Sequence, residues 1–200
     1  ITKINYKDPK VYNLFAEGRT EGIFQFESSG MKEKLRLLKP TEFNDIVAMN
    51  ALYRPGPMAQ IETYIRRKHG EEKVNYPHPN LEKILKDTYG VIVYQEQIML
   101  IAVNFAHMSL NEADNMRRAV SKKKKEDLEY YGRIFIEKSV AAGYDRNVAK
   151  SLFDLIVTFA NYGFNKSHAV VYSMLAYRLA YLKVYYTKYF MTALLNNVIS

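Results

Sequence analysis

The stretch MRRAVSKKKKEDLE (residues 116–129) carries six cations before its first acid, so its secondary structure decides how the chain folds here. A single continuous helix would place Arg118 and Lys122 on one face, where like charges repel each other. Glu126 and Asp127 are better placed in the first turn of a new helix, because acidic side chains stabilise the positive end of the helix dipole. We therefore predict two helices joined at the lysines, with the arginine pair on the turn before the junction.

The same stretch is a candidate phosphate site. Arginine presents a planar fork of N–H groups that matches phosphate oxygens, and lysine adds a mobile positive charge. Most lysine runs are solvated surface, so the alternative is a helix junction whose cations meet only water. The adjacent Arg117 and Arg118 favour phosphate, and both interpretations stay open at this point.

Apolar residues recur at helical spacing along most of the chain, which predicts a mainly α fold. The first helix begins after Asp8, its N-cap, has Pro9 in its first turn and stops at Gly18. Further helices are predicted at residues 31–38, 42–52, 58–68, 95–106, 110–120, 126–142, 146–160, 166–185 and 188–196. Two short β-strands are predicted as well, at residues 22–28 in GIFQFES and at residues 91–93 in YGVIVYQEQ.

The composition is typical of a globular protein, and the net charge favours a polyanionic partner. Its 200 residues are 48% hydrophobic and 25% charged, which is enough for a substantial core. The net charge is +8, with 15 Lys+Arg against 13 Asp+Glu in residues 1–100 and 14 against 8 in residues 101–200. This excess favours nucleic acid, although many basic domains bind none.

The cysteine content and the hydrophobic segments of the sequence argue against several classes of protein. Cysteine is absent, which excludes disulfides and thiol chemistry. No stretch has the length and hydrophobicity of a membrane span, and no signal-peptide pattern is present. We expect a soluble, cytoplasmic protein that makes no membrane contact.

The segment NYGFNKSHAVVY (residues 161–172) is a second candidate anion site. Gly163 permits a turn, and Lys166 and His168 then fall in the first turn of the next helix, where backbone N–H groups lack partners within the helix. Cations there oppose the helix dipole, unless an anion lies among the helix N-terminus, the ammonium group and the imidazole. The alternative is an ordinary capped helix whose histidine packs locally.

Three further features carry weaker signals. Arg54 precedes a rigid Pro-Gly-Pro turn in ALYRPGPM. An arginine fixed in this way could contact a phosphate or a base, and a structural turn with an incidental arginine explains the pattern equally well. The polar side chains of YQEQ (residues 94–97) stand at a strand-to-helix junction, where we favour capping over ligand binding. Tyrosines at every fourth position from Tyr177 to Tyr189 form a stripe, better explained by core packing than by stacking on bases.

A self-contained catalytic set is missing from the sequence. There is no Asp-x-Asp pair, no GxxxxGK[ST] phosphate loop, no nucleophile elbow and no convincing cluster of metal ligands. The residues alone therefore predict a phosphate-binding chain with no catalytic residues and no metal site of its own.

Six motifs occur in the order GIFQFESSGMKEKLRLLKP, ALYRPGP, YIRRKHG, YGVIVYQEQIM, RRAVSKKKKE and YGFNKSHAVVYSMLAY. Together they span nearly the whole chain and closely resemble the bacterial DNA polymerase III alpha subunits, the C family of replicative polymerases. The resemblance implies a fragment of a larger polymerase, with a palm-edge or connector segment at residues 1–40 and a multi-helix fingers domain at residues 41–200. It also implies that palm aspartates upstream of this sequence hold two Mg²⁺ ions, so that the fragment binds no cofactor and is inactive alone.

The resemblance gives the basic residues expected roles. Cations near the triphosphate of an incoming dNTP neutralise charge on the leaving pyrophosphate, and the residues expected there are Arg117, Arg118, Lys122, Lys166 and His168. Arg54, Lys123 and Tyr162 are expected to contact primer-template DNA. The implied partners are primer-template DNA, dNTP, and the remaining palm and thumb domains of the same polymerase. Two alternatives remain: a freestanding helical nucleic-acid-binding module without nucleotide specificity, and a helical scaffold with a solvated basic surface.

Overall fold

The computed structural model describes residues 3–199, apart from the side chains of residues 198 and 199. Helices dominate these residues, so the mainly α prediction is confirmed. In chain order they are α1 (Pro9–Ala16), α2 (Ser29–Leu38), α3 (Phe43–Leu52), α4 (Gln60–Lys68), α5 (Glu82–Leu85), α6 (Gln95–Ala106), α7 (Leu110–Ser121), α8 (Lys125–Ala141), α9 (Arg146–Ala160), α10 (Lys166–Tyr185) and α11 (Thr187–Ile199). Short 3₁₀ turns lie at Pro57–Ala59, Pro79–Leu81 and Lys86–Thr88.

The predicted helix signals act as expected. Helices α6, α9 and α10 have the predicted bounds. In α1, the Asp8 side chain accepts the N–H of Lys10 at 2.9 Å, Pro9 occupies the first turn, and Gly18 follows the helix with φ 65°. Helix α5 and the 3₁₀ turns were not predicted, because segments this short carry too few residues to show a period.

The strand predicted at residues 22–28 is wrong. The backbone there forms turns: the N–H of Ile23 bonds the carbonyl of Thr20, and the N–H of Phe26 bonds the carbonyl of Ile23. Gln25 has φ 69°, in the left-handed region, which an extended strand does not visit. The alternating pattern reflects two buried side chains, Ile23 and Phe26, in a turn rather than one face of a sheet.

The strand predicted at residues 91–93 is also wrong. The N–H of Val91 is used in a turn, where it bonds the carbonyl of Thr88. Across residues 3–199 the structure contains no strand, and pairing here is limited to an isolated parallel bridge between Tyr94 and Phe164. This apolar run is buried because it leads into α6, not because it belongs to a sheet.

The chain divides into two compact units. Unit 1 comprises the residues up to Ile61 together with those from Ser167 onward, and unit 2 comprises Glu62–Lys166. The boundary that we predict at residue 40, between a palm-edge segment and a fingers domain, concerns the architecture of the whole polymerase and stays a prediction. Residues 1, 2 and 200, at the ends of those predicted domains, lie outside the described residues.

Aromatic side chains occupy the core of unit 1. Tyr177 has no exposed surface; its ring stacks on Tyr6 with 4.9 Å between centroids and lies 5.4 Å from the ring of Tyr12. Its hydroxyl accepts the N–H of Asp8 at 3.1 Å and donates to the carbonyl of Asn5 at 2.9 Å. Core packing is thus confirmed for the first tyrosine of the stripe.

The stripe leaves the core as it runs along α10 and into α11. Tyr185 is 43% exposed and donates its hydroxyl hydrogen to the Asp8 carboxylate at 2.6 Å. Tyr189 is 79% exposed. Four residues exceed one helical turn of about 3.6 residues, so each ring is rotated by roughly 40° from the one before it.

Helices α6 to α9 enclose the core of unit 2. The ring of Phe105 stacks on Tyr144 at 3.7 Å and on Phe135 at 6.4 Å. Met116 and Val120, near the end of α7, are fully buried in the same core. Burial of these two side chains holds the last turns of α7 in place, and with them the start of the basic stretch.

Candidate functional site

The basic stretch forms a helix-to-helix junction, as predicted. Lys122 is the C-cap of α7, Lys123 has φ 53°, and Lys124 is the N-cap of α8. Glu126 and Asp127 occupy the first turn of α8, where their charges complement the helix dipole. The change of direction at Lys123 interrupts what would otherwise be a single face of stacked cations.

One carboxylate holds both arginines of the stretch. Asp114 Oδ1 accepts hydrogen bonds from Nε and Nη2 of Arg117 at 3.0 and 2.7 Å, and Asp114 Oδ2 forms an ion pair with Nε of Arg118 at 2.8 Å. The side chain of Arg117 is 14% exposed and that of Arg118 is 68% exposed. The hydrogen bonds from Arg117, with a smaller effect of Arg118, lower the pKa of Asp114, so the carboxylate is ionised at neutral pH.

Positive charge exceeds negative charge at the junction. The four lysines of the run, Lys122, Lys123, Lys124 and Lys125, are all exposed. Of these, Lys125 forms an ion pair with Glu129, at the long distance of 3.8 Å. Asp114 is a single negative charge between two arginines, so the surface retains a net positive charge suited to a polyanion.

A carboxylate also lies at the N-terminus of α10. Glu96 accepts the backbone N–H of Lys166 with both oxygens, at 3.1 and 3.0 Å. The Lys166 ammonium lies 5.3 Å from the centroid of the Tyr94 ring, within the range of a cation–π contact. The anion on this N–H group is the protein's own Glu96, and the external anion that we expect at the first turn of α10 stays a prediction.

Among the polar residues of YQEQ, Gln97 caps α6, which confirms for this residue the interpretation that we favoured. The Gln97 side-chain oxygen accepts the N–H groups of Val93 and Tyr94 at 2.8 and 3.0 Å, at the start of α6. Its amide nitrogen donates to the hydroxyl of Thr88 at 2.8 Å and to the carbonyl of Ile84 at 3.3 Å. Gln97 is buried, and these four bonds use the full capacity of its amide.

His168 lies on the exposed first turn of α10, in unit 1. Its ring is 4.2 Å from the ring of Tyr172, which stacks in turn on Phe24 at 5.3 Å. The local packing that we considered as the alternative for this histidine is therefore present.

Arg54 is half-buried at the corner after α3, also in unit 1. Its Nε donates to the carbonyl of Ala51 at 3.0 Å. Burial lowers the pKa of the guanidinium from its usual high value. Arg54 thus has the structural role that we considered as the alternative. The same hydrogen bond orients the side chain, which a contact to phosphate also requires.

The predicted site residues fall into three groups. Arg117, Arg118, Lys122 and Lys123 lie together at the end of α7 and the junction. Tyr162, 37% exposed, and Lys166 lie at the start of α10 within unit 2, and Arg54 and His168 lie in unit 1. Sequence reasoning missed Asp114, although its spacing of three and four residues before the arginines predicts both ion pairs.

The described residues contain neither a metal-binding cluster nor a membrane-spanning helix. Between residues 3 and 199, no three His, Cys, Asp or Glu side chains converge in a way that would hold a metal ion. None of the helices in that range has the length and apolar character needed to cross a membrane.

Comparison with known proteins places the chain in a family. Residues 1–143 match the finger domain of the bacterial DNA polymerase III alpha subunit. The chain is 56% identical over 199 residues to the DNA polymerase III subunit alpha of Bacillus subtilis, covering 100% of this chain and 18% of that protein. The corresponding protein of Halalkalibacterium halodurans is 55% identical over 198 residues, covering 99% and 18%, and that of Staphylococcus aureus is 54% identical over 199 residues, covering 100% and 19%.

The chain spans about a fifth of the length of these relatives, and the match covers it almost from end to end. The resemblance that the six motifs carried is confirmed by this agreement. This chain belongs to the finger domain family of the bacterial DNA polymerase III alpha subunit.

Proposed function

We propose that this chain is the fingers segment of a replicative DNA-directed DNA polymerase, and that it binds the triphosphate of an incoming dNTP and the primer-template DNA during replication. The observation that carries the proposal is the α7–α8 junction, where two arginines anchored on Asp114 precede four exposed lysines. A buried core supports this surface, so its charges are presented from a fixed scaffold.

The junction suits a triphosphate better than a single phosphate. Phosphoryl transfer spreads negative charge over several oxygens, and catalysis depends on cations that are positioned before the reaction. Arg117 is held by two hydrogen bonds to Asp114 and Arg118 by an ion pair to the same carboxylate, whereas Lys122 adds a mobile charge at the C-cap. We assign these three residues to the triphosphate.

Lys166 and His168 are assigned to the same ligand. Both lie in the first turn of α10, which Glu96 fixes through the Lys166 N–H. That bond leaves the Lys166 ammonium beside the Tyr94 ring, a face that accepts a cation without neutralising its charge. The exposed His168 imidazole supplies a further hydrogen-bond donor.

Arg54, Lys123 and Tyr162 are assigned to primer-template DNA. Arg54 is fixed by the Ala51 carbonyl, Lys123 is exposed at the junction, and Tyr162 exposes 37% of its surface. Lysine and arginine contacts to the backbone supply affinity, and an exposed tyrosine ring offers a stacking platform for a base.

The chemical step is assigned to other parts of the polymerase. Polymerases of this kind use Mg²⁺, and the described residues do not gather the carboxylates that such an ion requires. We propose that the metal ligands lie in the palm, outside this chain, that the palm and thumb of the same polypeptide are its partners, and that the chain alone is inactive. We propose a cytoplasmic location on the same basis.

The test is fluorescence anisotropy of a labelled primer-template, titrated with the complete polymerase that contains this segment. The titration is repeated across a salt series, with the templated dNTP, with a non-templated dNTP, and with neither. We expect affinity to fall with salt in every case and to increase with the templated dNTP alone, because only a correct pair places the triphosphate among these cations. Binding that depends on salt but ignores dNTP, in wild type and in Arg117→Ala alike, would favour a nucleic-acid surface without nucleotide specificity.

A further inference from the structure

We infer that Asp114 is a positioning residue for the triphosphate: it holds the guanidinium groups of Arg117 and Arg118 in one fixed arrangement before the ligand binds. The inference rests on the proposed function and deepens it, because it names the group that determines how those two cations are presented. Asp114 itself makes no contact with the ligand in this account.

In each guanidinium, some nitrogens bind Asp114 and others remain available to a ligand. Arg117 donates to Asp114 through Nε and Nη2, and Nε of Arg118 forms an ion pair with the same carboxylate. The two N–H groups on Arg117 Nη1 and the terminal nitrogens of Arg118 have no hydrogen-bond partner among the residues that the structure describes. Three nitrogens are therefore committed to the protein, and the outer ends of both forks are left for phosphate oxygens.

Burial distinguishes this arrangement from an ordinary surface ion pair. Exposed pairs at a spacing of three or four residues hold their side chains weakly, because solvent screens them. Here the Arg117 side chain is 14% exposed and that of Asp114 is 25% exposed. A guanidinium this enclosed needs a carboxylate to satisfy it, so Arg117 keeps one orientation, and the shared carboxylate extends that constraint to its exposed neighbour Arg118.

Charge gives the second reason for a single shared carboxylate. Two separate acids would neutralise both arginines, whereas one acid anchors two cations and leaves a net positive charge. The chain contains a second carboxylate shared by two arginines: Glu72 binds both Arg66 and Arg67. That pair is followed by Lys68 alone, whereas Arg117 and Arg118 are followed by a run of four lysines.

The test compares dNTP use with DNA affinity for Asp114→Asn in the complete polymerase. Asparagine keeps the size of the side chain but removes the charge that holds the arginines. We expect KM for the templated dNTP to rise about tenfold or more, because disordered arginines lose charge-assisted bonds to phosphate. The Kd for primer-template should stay the same or decrease, because the variant gains one positive charge. These opposite directions cannot come from general loss of folding, which would weaken both.

Two further variants complete the design. Glu129→Gln adds the same charge beside the lysine run without touching the arginines, and should leave KM unchanged. Asp114→Glu restores a carboxylate one methylene further out and should recover part of the affinity for dNTP. An unchanged or lower KM in Asp114→Asn would overturn the inference, as would parallel weakening of dNTP and DNA binding that Asp114→Glu does not relieve.

Arg117→Ala and Arg118→Ala, measured in the same assay, separate the inference from the proposal beneath it. If both arginine variants keep the wild-type KM, the assignment of the triphosphate to this junction fails. If the arginine variants raise KM and Asp114→Asn does not, only the positioning role of Asp114 fails.

Discussion

Glu96 and Lys166 are 70 positions apart in the sequence, and the carboxylate of the first accepts the backbone N–H of the second with both oxygens, at 3.1 and 3.0 Å. Two adjacent bonds complete the same joint: Phe164 N–H donates to the Val93 carbonyl at 3.0 Å, and Gln95 N–H donates to the Phe164 carbonyl at 2.9 Å. The start of α6 therefore holds the start of α10. Lys166, a predicted triphosphate contact, depends on this joint for its position.

Removal of the Glu96 cap should loosen the first turn of α10. We expect Glu96→Ala to destabilise that turn by about 1 kcal/mol, the usual cost of a lost N-cap bond, which corresponds to faster amide exchange at residues 166–169. Hydrogen exchange followed by mass spectrometry of the complete polymerase measures this locally. Glu137→Ala, at an exposed position of α8, is the control. Unchanged exchange at the start of α10 in Glu96→Ala would show that another group caps the helix.

Gln97 should be among the most sensitive positions of unit 2. Gln97→Leu keeps the volume of the side chain but leaves the N–H groups of Val93 and Tyr94 without their acceptor. We expect a loss of roughly 2–5 kcal/mol in the free energy of unfolding, since each buried group left unsatisfied costs about 1–3 kcal/mol. Urea unfolding of the 200-residue chain measures it. A loss below that of a typical surface substitution would contradict the role that we assign to this amide.

Lys123 occupies a backbone conformation that suits glycine better than lysine, with φ 53°. Lys123→Gly should therefore leave the thermal midpoint unchanged or raise it, while it removes one charge from the junction. Lys122→Gly removes the same charge at φ −76°, where glycine offers no relief, and should destabilise by about 0.5–1 kcal/mol. Scanning calorimetry of the two variants gives the comparison. Equal destabilisation in both would mean that Lys123 is not strained.

Acid should weaken unit 1 through Glu21. Hydrogen bonding from Lys32, at 2.7 Å, is the main cause that lowers the pKa of Glu21 from 4.5 to about 2, with a further contribution from Lys183. A carboxylate whose pKa is lower in the folded state stabilises the fold above its unfolded pKa and loses this effect as pH falls through the folded value. The stability difference between wild type and Glu21→Gln should thus be full above about pH 5 and shrink towards pH 2.

The control for the acid experiment is Glu33→Gln, on the exposed side of α2. Glu33→Gln removes the same charge at a position with no ion pair among the described residues, and the Glu21→Gln difference is read relative to it. Urea midpoints measured at intervals of half a pH unit suffice. A Glu21→Gln difference that grows as pH falls would have the wrong sign for this account.

Local signals explain what the sequence could predict. Caps and charge placement act within a few residues, and they are sufficient to locate α1 and the α7–α8 junction from the sequence. The strand predicted at residues 22–28 is wrong because a single residue in the left-handed conformation, Gln25, turns the chain. Apolar alternation in the sequence does not reveal such a turn. Alternation of side chains reports burial, and a buried turn gives the same pattern as a short strand.

The sequence predicts the positively charged residues of the candidate site but not the carboxylates that bind them. The positive residues stand out because they cluster in the sequence, whereas the acids that position them are single residues. Asp114 was within reach of the helical spacing rule. Glu96 is predicted to cap α6, where it stands in the sequence, and it caps α10 instead, because no local rule indicates a partner 70 positions away.

The most direct test of the central claim is single-nucleotide incorporation by the complete polymerase carrying Arg117→Ala or Lys166→Ala, with Arg133→Ala and Lys150→Ala as controls. The control residues are exposed cations of unit 2 on α8 and α9, outside the predicted site. The account predicts that both site variants raise KM for the templated dNTP by about 10- to 100-fold, the cost of a lost charge-assisted bond, while primer-template Kd changes much less. Wild-type incorporation at subsaturating dNTP in both site variants, or an equal effect in the controls, would contradict the assignment of the triphosphate to these residues.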